Sequence, residues 1–188
     1  MVELSEVFQT SLGVLLKIEG KLSDQPDDPG GLTNHGVTQE TYDLYRMRLG
    51  LAARSVEFIA TDEVERVYFY DFWLPCNCDE IAKDFPVLAY ELFEFAVNAG
   101  PRNASRALQA GYNTIRLKNG SSLEADGIIG PVSLFQIKAF CSKYEDALIA
   151  ALNVEQYKHY QKVGNPTMVR GWMKRVVVPD AIKKAFAA

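Results

Sequence analysis

The segment from Glu19 to Thr38 constrains the fold most strongly, because it ends an amphipathic helix and replaces it with closely spaced turn-forming residues. Before this segment, apolar side chains recur every three or four positions, which predicts a helix. Gly20 is a typical residue just past a helix end, so we expect Glu19 in the last turn. The negative end of the helix dipole and any loss of solvent both favour a protonated carboxyl group there, which suits general acid chemistry. The apolar positions of the predicted helix are Leu4, Val7, Phe8, Leu12, Leu15 and Ile18.

Residues 26–31 read Pro-Asp-Asp-Pro-Gly-Gly, a composition typical of a tight loop or short hairpin. We expect such a loop to fold back over the helix end and to bring Asp28 and Thr33 towards Glu19. Two carboxyl groups in contrasting environments, with a hydroxyl group that holds a water molecule, are the minimum needed to cleave a glycosidic bond. A solvated acidic loop after a surface helix is the alternative interpretation. Asp27 is adjacent to Asp28, and spacing does not decide which of these carboxylates takes the second role.

Residues 26–38 read Pro-Asp-Asp-Pro-Gly-Gly-Leu-Thr-Asn-His-Gly-Val-Thr and follow a Glu-Gly pair at residues 19 and 20. This pattern closely resembles the start of the phage and prophage muramidases of glycoside hydrolase family 108. The chain departs from that motif at Lys21-Leu22, where Gly-Tyr is usual, and at His35, where Tyr is usual.

The resemblance implies hydrolysis of the β-1,4 bond between N-acetylmuramic acid and N-acetylglucosamine in peptidoglycan. By the same resemblance, Glu19 is the catalytic acid, Asp28 the second acidic position and Thr33 the hydroxyl that positions water. Asn34 and His35 lie in the same motif and are candidate substrate-binding residues. Whether the sugar configuration is inverted or retained depends on the separation of the two carboxylates, which the sequence does not give.

Three later stretches also resemble this family. Residues 93–101 read Phe-Glu-Phe-Ala-Val-Asn-Ala-Gly-Pro, in which Asn98 either binds substrate or caps the end of a helix. Residues 126–131 read Asp-Gly-Ile-Ile-Gly-Pro and resemble the start of a peptidoglycan-binding segment. Residues 171–175 read Gly-Trp-Met-Lys-Arg, and Arg175 is a candidate for clamping an acidic group at the active site or on the substrate.

The charge of the chain is unevenly distributed, with a balance of −11 over residues 1–100 and +7 over residues 101–188. A basic half suits approach to an anionic polymer or membrane face, although the two halves could instead pair with each other. We expect no nucleic-acid partner, no stable membrane insertion and a monomer. With three cysteines and two histidines, we also expect no disulfide framework, no metal site and no cofactor.

The amino-terminal residues are acidic where a secretory signal would be basic, so we expect the chain to accumulate in the host cytoplasm before lysis. The resemblance then implies a phage endolysin that reaches peptidoglycan in the periplasm through a separate holin-type pore. Two alternatives remain open. One is a virion-associated muramidase that penetrates the wall, and the other is a non-catalytic peptidoglycan-binding or secretion-accessory protein.

We expect a mostly helical α+β fold, lysozyme-like, with two lobes around a substrate cleft. Residues 1–97 would form the catalytic lobe and residues 98–188 a helical peptidoglycan-binding-like lobe, together in one globular unit. Helices are predicted to begin at Thr38, Thr61, Pro86, Pro101 and Pro131, and the one from Thr61 is predicted to run through Trp73 to a stop at Pro75. Residues 76–85 are predicted to form a polar connection.

Overall fold

The computed structural model of the chain describes residues 4–19, 32–116, 118, 120–163 and 180–186, and helices account for most of these ranges. The prediction of a mostly helical protein is confirmed. Packing of the backbone divides the chain into two compact units, Met1–Asp71 and Phe72–Ala188. The lobe boundary predicted between residues 97 and 98 stays a prediction.

The described residues of the first unit form a helix, a two-stranded hairpin, a short 3₁₀-helix and two further α-helices. The hairpin is antiparallel and pairs Thr33 with Thr38 and Asn34 with Val37. Thr38 caps the next helix as predicted, because its hydroxyl oxygen accepts a 3.2 Å hydrogen bond from the Thr41 backbone N–H. The elements are α1 (Glu6–Glu19), β1 (Thr33–Asn34), β2 (Val37–Thr38), α2 (Gln39–Arg48), a 3₁₀-helix (Val56–Phe58) and α3 (Thr61–Tyr68).

The buried face of α1 has the periodicity that the sequence predicts. Phe8, Leu12 and Leu15 are all buried, and the Phe8 ring meets Phe69 edge-on with 5.2 Å between ring centroids. Burial of each such side chain contributes roughly 1.5–3 kcal/mol. This packing fixes the direction of α1, and therefore where its last residue, Glu19, is placed along the backbone.

A network of charged side chains joins α2 to α3. Glu63 accepts hydrogen bonds from the Tyr42 hydroxyl at 2.8 Å and from Arg46 at 2.8 Å, and it also pairs with Arg54. Burial alone would raise the pKa of Glu63, but the backbone N–H of Ala60, the Tyr42 hydroxyl and the two arginines together lower it. Glu63 is therefore held as a carboxylate and has a structural role.

The second unit is built from longer helices. Helix α5 begins at Pro86 and α6 at Pro101, as predicted, with Gly100 at a φ of 85° between them. Helix α7 begins at Pro131, and its regular backbone is interrupted at Tyr144 (φ −139°, ψ 34°). The elements after α3 are a π-helix (Phe69–Trp73), a 3₁₀-helix (Leu74–Cys76), α4 (Cys78–Ala82), α5 (Pro86–Ala99), α6 (Pro101–Ile115), α7 (Pro131–Val163) and α8 (Asp180–Ala185).

Two sequence predictions around residue 76 are wrong. The helix from Thr61 does not continue as one α-helix to Trp73, because a π-helix replaces it after Tyr68, and Pro75 lies inside a 3₁₀-helix. Residues 76–85 are not simply a polar connection, since they contain α4 and the buried Cys76, Cys78 and Ile81. A polar side chain of this stretch forms a hydrogen bond within the fold: Asp79 accepts a 2.9 Å hydrogen bond from the indole N–H of Trp73.

The Asp-Gly loop before α7 is held against α6 by side-chain hydrogen bonds. Gln109 donates to Asp126 Oδ1 at 3.0 Å and accepts from the backbone N–H of Gly127 at 2.9 Å. Gly127 has a φ of 82°, and a β-carbon there would lie 2.5 Å from the carbonyl oxygen of Arg102. The glycine is therefore required both by its backbone angle and by the close approach of α6.

We expect Gly127→Ala to lower the free energy of unfolding by at least about 2 kcal/mol, because it adds left-handed strain to a clash with backbone. Urea denaturation followed by circular dichroism measures the change. Gly130→Ala is the matched control, since a β-carbon at Gly130 meets nothing within 4 Å, and its effect should stay within about 0.5 kcal/mol. Equal effects of the two substitutions would contradict this account of the loop.

Candidate functional site

The hairpin between β1 and β2 carries three of the residues predicted to act on substrate. His35 and Gly36 occupy its turn with φ values of 51° and 75°. Positive φ at both central residues defines a type I′ turn, whose twist matches that of the flanking strands. Histidine tolerates this region better than most residues, so the Asn-His-Gly sequence is compatible with the turn.

Side chains tie the hairpin to the rest of the first unit. The Asn34 amide donates to the carbonyl oxygens of Val56 at 3.2 Å and Glu57 at 3.1 Å. The buried Tyr68 hydroxyl donates to the carbonyl oxygen of His35 at 2.9 Å. Both N–H groups of the Asn34 amide are thus used within the fold, and a substrate contact by this residue falls to its Oδ1 atom.

The predicted catalytic residues flank a segment outside the described ranges. Glu19 is the last residue of α1, as predicted, but its side chain is not described. Asp28, with the neighbouring Asp27, and Arg175 also lie outside the described residues. Thr33 begins β1, directly before Asn34 and His35, so the structure brings these three together in one hairpin. The catalytic roles themselves stay predictions.

Asn98 lies in the second unit and bonds within its own helix. Its amide donates to the backbone carbonyl and to Oε1 of Glu94, each at 2.9 Å. The other oxygen of Glu94 accepts from Gln156 of α7 at 2.8 Å, and Gln156 also donates to the Tyr160 hydroxyl at 2.9 Å. These contacts fit the helix-end interpretation of Asn98, while its predicted contact with substrate stays a prediction.

The carboxyl group with the most strongly raised pKa among the described residues is Glu91, one turn before Glu94 on α5. Burial, and next the charge of Glu94, raise the pKa of Glu91 to about 8, against the opposing effects of Asn153 and Lys183. Strongly shifted groups often mark active sites. Glu91, however, is only 3% exposed and packed inside the second unit, so we interpret it as a buried structural acid.

Concave surfaces occur in both units. In the first, a cavity of about 340 Å³ combines two tyrosine rings with two arginine side chains; its lining residues are Tyr45, Arg48, Leu49, Arg66 and Tyr70. In the second, a larger apolar cavity of about 650 Å³ lies beside the start of α7, where Val132 and Phe135 are largely exposed. Aromatic and apolar faces next to polar donors suit sugar rings, which present C–H groups on one side and hydroxyl groups at their edges.

The residues that the structure describes include neither a metal-ligand cluster nor a membrane-spanning helix. Within the described ranges, no three or more His, Cys, Asp and Glu side chains are arranged to hold a metal ion. Cys76, Cys78 and Cys141 are buried free thiols. None of the helices in the described part of the chain has both the length and the hydropathy needed to span a bilayer.

Comparison with known families accounts for most of the chain in two consecutive parts. Residues 12–100 match the family model for glycosyl hydrolase 108, and residues 103–177 match the model for a predicted peptidoglycan domain. The chain contains a glycosyl hydrolase 108 domain followed by a predicted peptidoglycan domain. These two domains support a glycosyl hydrolase that acts on peptidoglycan.

A solved structure described as that of Brucella abortus SagA has a similar fold. The TM-score is 0.74 with 23% sequence identity, over 96% of this chain and 94% of the other. At this identity the likeness concerns the fold alone. No protein with a curated description matches this chain.

Sequence reasoning missed the residues that hold the hairpin of the glycosyl hydrolase 108 domain. Tyr68 is one of these residues, and its side chain is 1% exposed. Its hydrogen bond to His35 has no local sequence signal, since 33 positions separate the two residues. Asn34 was considered only as a substrate contact. The Asn-His-Gly triplet, with Thr33 before it and Val37-Thr38 after it, was the signal available for the turn.

We expect Tyr68→Phe to lower the free energy of unfolding by about 1 kcal/mol and to speed amide hydrogen exchange across residues 34–37, because the His35 carbonyl loses its donor. Mass-resolved hydrogen exchange and urea denaturation measure the two effects. Tyr70→Phe is the matched control, since the Tyr70 side chain is 40% exposed. Unchanged exchange in the hairpin of Tyr68→Phe would contradict the role given to this hydroxyl.

We expect the pH dependence of stability to change in Glu91→Gln. An unfolded glutamate titrates near pH 4.3, whereas Glu91 in the fold titrates at about 8. The stabilising contribution of its protonated form is therefore complete below the unfolded pKa and is lost as the pH rises through about 8. Thermal unfolding at pH 5, 7 and 9 should show a smaller fall in Tm for Glu91→Gln than for wild type. The exposed Glu124→Gln is the control, and parallel curves for all three proteins would refute the assignment.

Proposed function

We propose that the chain is an endolysin that hydrolyses the β-1,4 bond between N-acetylmuramic acid and N-acetylglucosamine, with Glu19 as the general acid. The observation that carries the proposal is the position of Glu19 and Thr33 within the glycosyl hydrolase 108 match. Glu19 ends α1, and the hairpin that begins at Thr33 is held to the same unit by Asn34 and Tyr68. Thr33 belongs to the motif of residues 26–38, which follows the Glu19-Gly20 pair in the sequence.

The end of α1 suits the chemistry asked of Glu19. Backbone carbonyl groups at a helix carboxyl terminus carry partial negative charge and disfavour a second negative charge nearby. A glutamic acid that keeps its proton near neutral pH donates it to the glycosidic oxygen as that bond breaks. The leaving sugar departs with the proton, and positive charge develops on the ring of the sugar that remains.

Asp28 and Thr33 complete the proposed reaction. Asp28 stabilises the developing positive charge or removes a proton from the attacking water, and Thr33 positions that water. Asn34, through its side-chain Oδ1 atom, and His35 contact the sugar next to Thr33. In this proposal Arg175 clamps an acidic group at the active site or on the substrate.

The proposed function also includes a route by which the protein reaches peptidoglycan. The protein waits in the cytoplasm of the infected host as a monomer and reaches peptidoglycan through a holin-type pore. Mass spectrometry of purified phage particles tests this route. Presence of the chain in the particles would instead indicate the virion-associated enzyme.

We expect Glu19→Gln to reduce the clearing of outer-membrane-stripped Gram-negative cells by at least about 100-fold, because the amide has no proton to give to the leaving oxygen. The fall in turbidity measures the rate, and circular dichroism checks that the fold is intact. Glu6→Gln is the matched control, since it makes the same change in the first turn of the same helix and should clear at the wild-type rate. Asp28→Asn and Asp27→Asn in the same assay identify the second carboxylate, and we expect the strong loss in Asp28→Asn.

Near-equal clearing by wild type and Glu19→Gln would remove Glu19 from the mechanism. An inactive Asp27→Asn beside an active Asp28→Asn would move the second role by one residue. Clearing by neither wild type nor Glu19→Gln, together with tight binding to the wall, would favour the non-catalytic accessory protein.

A further inference from the structure

A basic groove of about 350 Å³ lies between α6 and α7 in the second unit. Arg106 on α6 faces Lys158 and Lys162 on α7, and these three side chains are exposed to solvent. All three lie within the match to the predicted peptidoglycan domain. The groove therefore places part of the positive charge of residues 101–188 around one cavity.

The charges of the groove are only partly neutralised. Glu155 is the acidic residue that lines it, and it pairs with Lys158 at 2.7 Å. Lys162 forms no ion pair with any residue in the described ranges. Arg106 donates to the carbonyl oxygens of Ala125 at 3.1 Å and Asp126 at 3.5 Å, which holds the guanidinium group in place without cancelling its charge. Since a guanidinium group has five N–H donors, Arg106 keeps donors for a ligand.

The floor and walls of the groove suit a peptide. Phe95 forms the apolar floor, and the ring of His159 meets it edge-on at a centroid distance of 5.5 Å. Burial, and next the charge of Lys162, lower the pKa of His159, so its imidazole is neutral at pH 7 and both donates and accepts hydrogen bonds. Asn103 uses its amide N–H to bind the Ala99 carbonyl at 2.8 Å, which leaves Oδ1 to accept from a peptide N–H.

We propose that this groove binds the free carboxylates of the peptide stems of peptidoglycan. The glycan strand offers mainly hydroxyl and acetamido groups, whereas the stems offer carboxylates, amide groups and small methyl side chains. Cations of the groove pair with the carboxylates, Asn103 and His159 pair with the amides, and the methyl groups pack on an alanine-rich wall that includes Ala107 and Ala110. The inference rests on the proposed function only in taking peptidoglycan as the substrate.

Binding of the full-length chain to purified Gram-negative sacculi tests the proposal, because these sacculi contain no teichoic acid phosphate. We expect the double variant Lys158→Gln/Lys162→Gln to bind about tenfold more weakly at low salt, with the difference shrinking as salt is raised. The matched control is Lys118→Gln/Lys143→Gln, which removes the same charge from exposed lysines that do not line the groove. It should bind like wild type. Co-sedimentation at 4 °C, where digestion is slow, provides the measurement.

Sacculi whose carboxylates are capped by carbodiimide coupling to ethanolamine provide the second arm. Wild type should bind them as weakly as the groove variant binds untreated sacculi. Wild-type binding by the groove variant, or equal weakening in the control variant, would overturn the proposal. Undiminished binding of wild type to capped sacculi would overturn the choice of carboxylates. Cell clearing by Glu19→Gln is measured separately, so failure of the groove and failure of the proposed catalysis give different results.

Discussion

The hydrogen bond from the Tyr68 hydroxyl to the His35 carbonyl is the constraint on which the proposed site depends. Two-residue strands provide little stability by themselves, so a hairpin this short needs external support. Tyr68 supplies it from α3, and Asn34 supplies it from within the hairpin by binding the backbone at residues 56 and 57. The backbone that carries the Thr33 hydroxyl is thereby fixed. A fixed backbone is needed if this hydroxyl is to position a reacting water.

In the second unit, the main constraint is the close packing of helices α6 and α7. Gly111 allows this approach, because a β-carbon there would lie 3.1 Å from the backbone of Ala151. At the start of α7, Gln109 and Gly127 fix the Asp-Gly loop against α6. The Asp-Gly-Ile-Ile-Gly-Pro stretch, which resembles the start of a peptidoglycan-binding segment, thus has a structural explanation that needs no ligand. It places α7, and with it Lys158 and Lys162, beside Arg106.

The sequence predicts features determined by local chemistry. The amphipathic period of α1, the cap at Thr38 and the Pro-initiated helices α5, α6 and α7 are all confirmed. Features that depend on distant partners were missed. The π-helix after Tyr68 and the buried α4 are examples, because their conformation follows from tertiary packing and from bonds such as that between Trp73 and Asp79. The same holds for the bond between Tyr68 and His35, whereas the motif that resembles glycoside hydrolase family 108 is recognisable because its residues are contiguous.

A raised pKa does not by itself indicate a catalytic role, as Glu91 illustrates. Glu91 has the physical signature sought in a general acid, with burial and a neighbouring carboxylate both raising its pKa. A general acid must also reach a reacting atom, and Glu91 does not meet this requirement because it is only 3% exposed. Glu19, the proposed general acid, has the complementary set of features: it ends a helix, the sequence after it is rich in aspartate, and the hairpin hydroxyl of Thr33 follows.

Charge distribution gives a reason for the chain to contain a second domain. A polymer that carries carboxylates repels the acidic amino-terminal half of the chain. This repulsion lowers the concentration of substrate near that half. In our proposal, the basic groove on α6 and α7 offsets this repulsion by pairing with the carboxylates directly. In the proposed mode of action, cleavage acts on the neutral glycan and attachment acts on the charged peptide, so the charge of each domain matches the part of the polymer that it recognises.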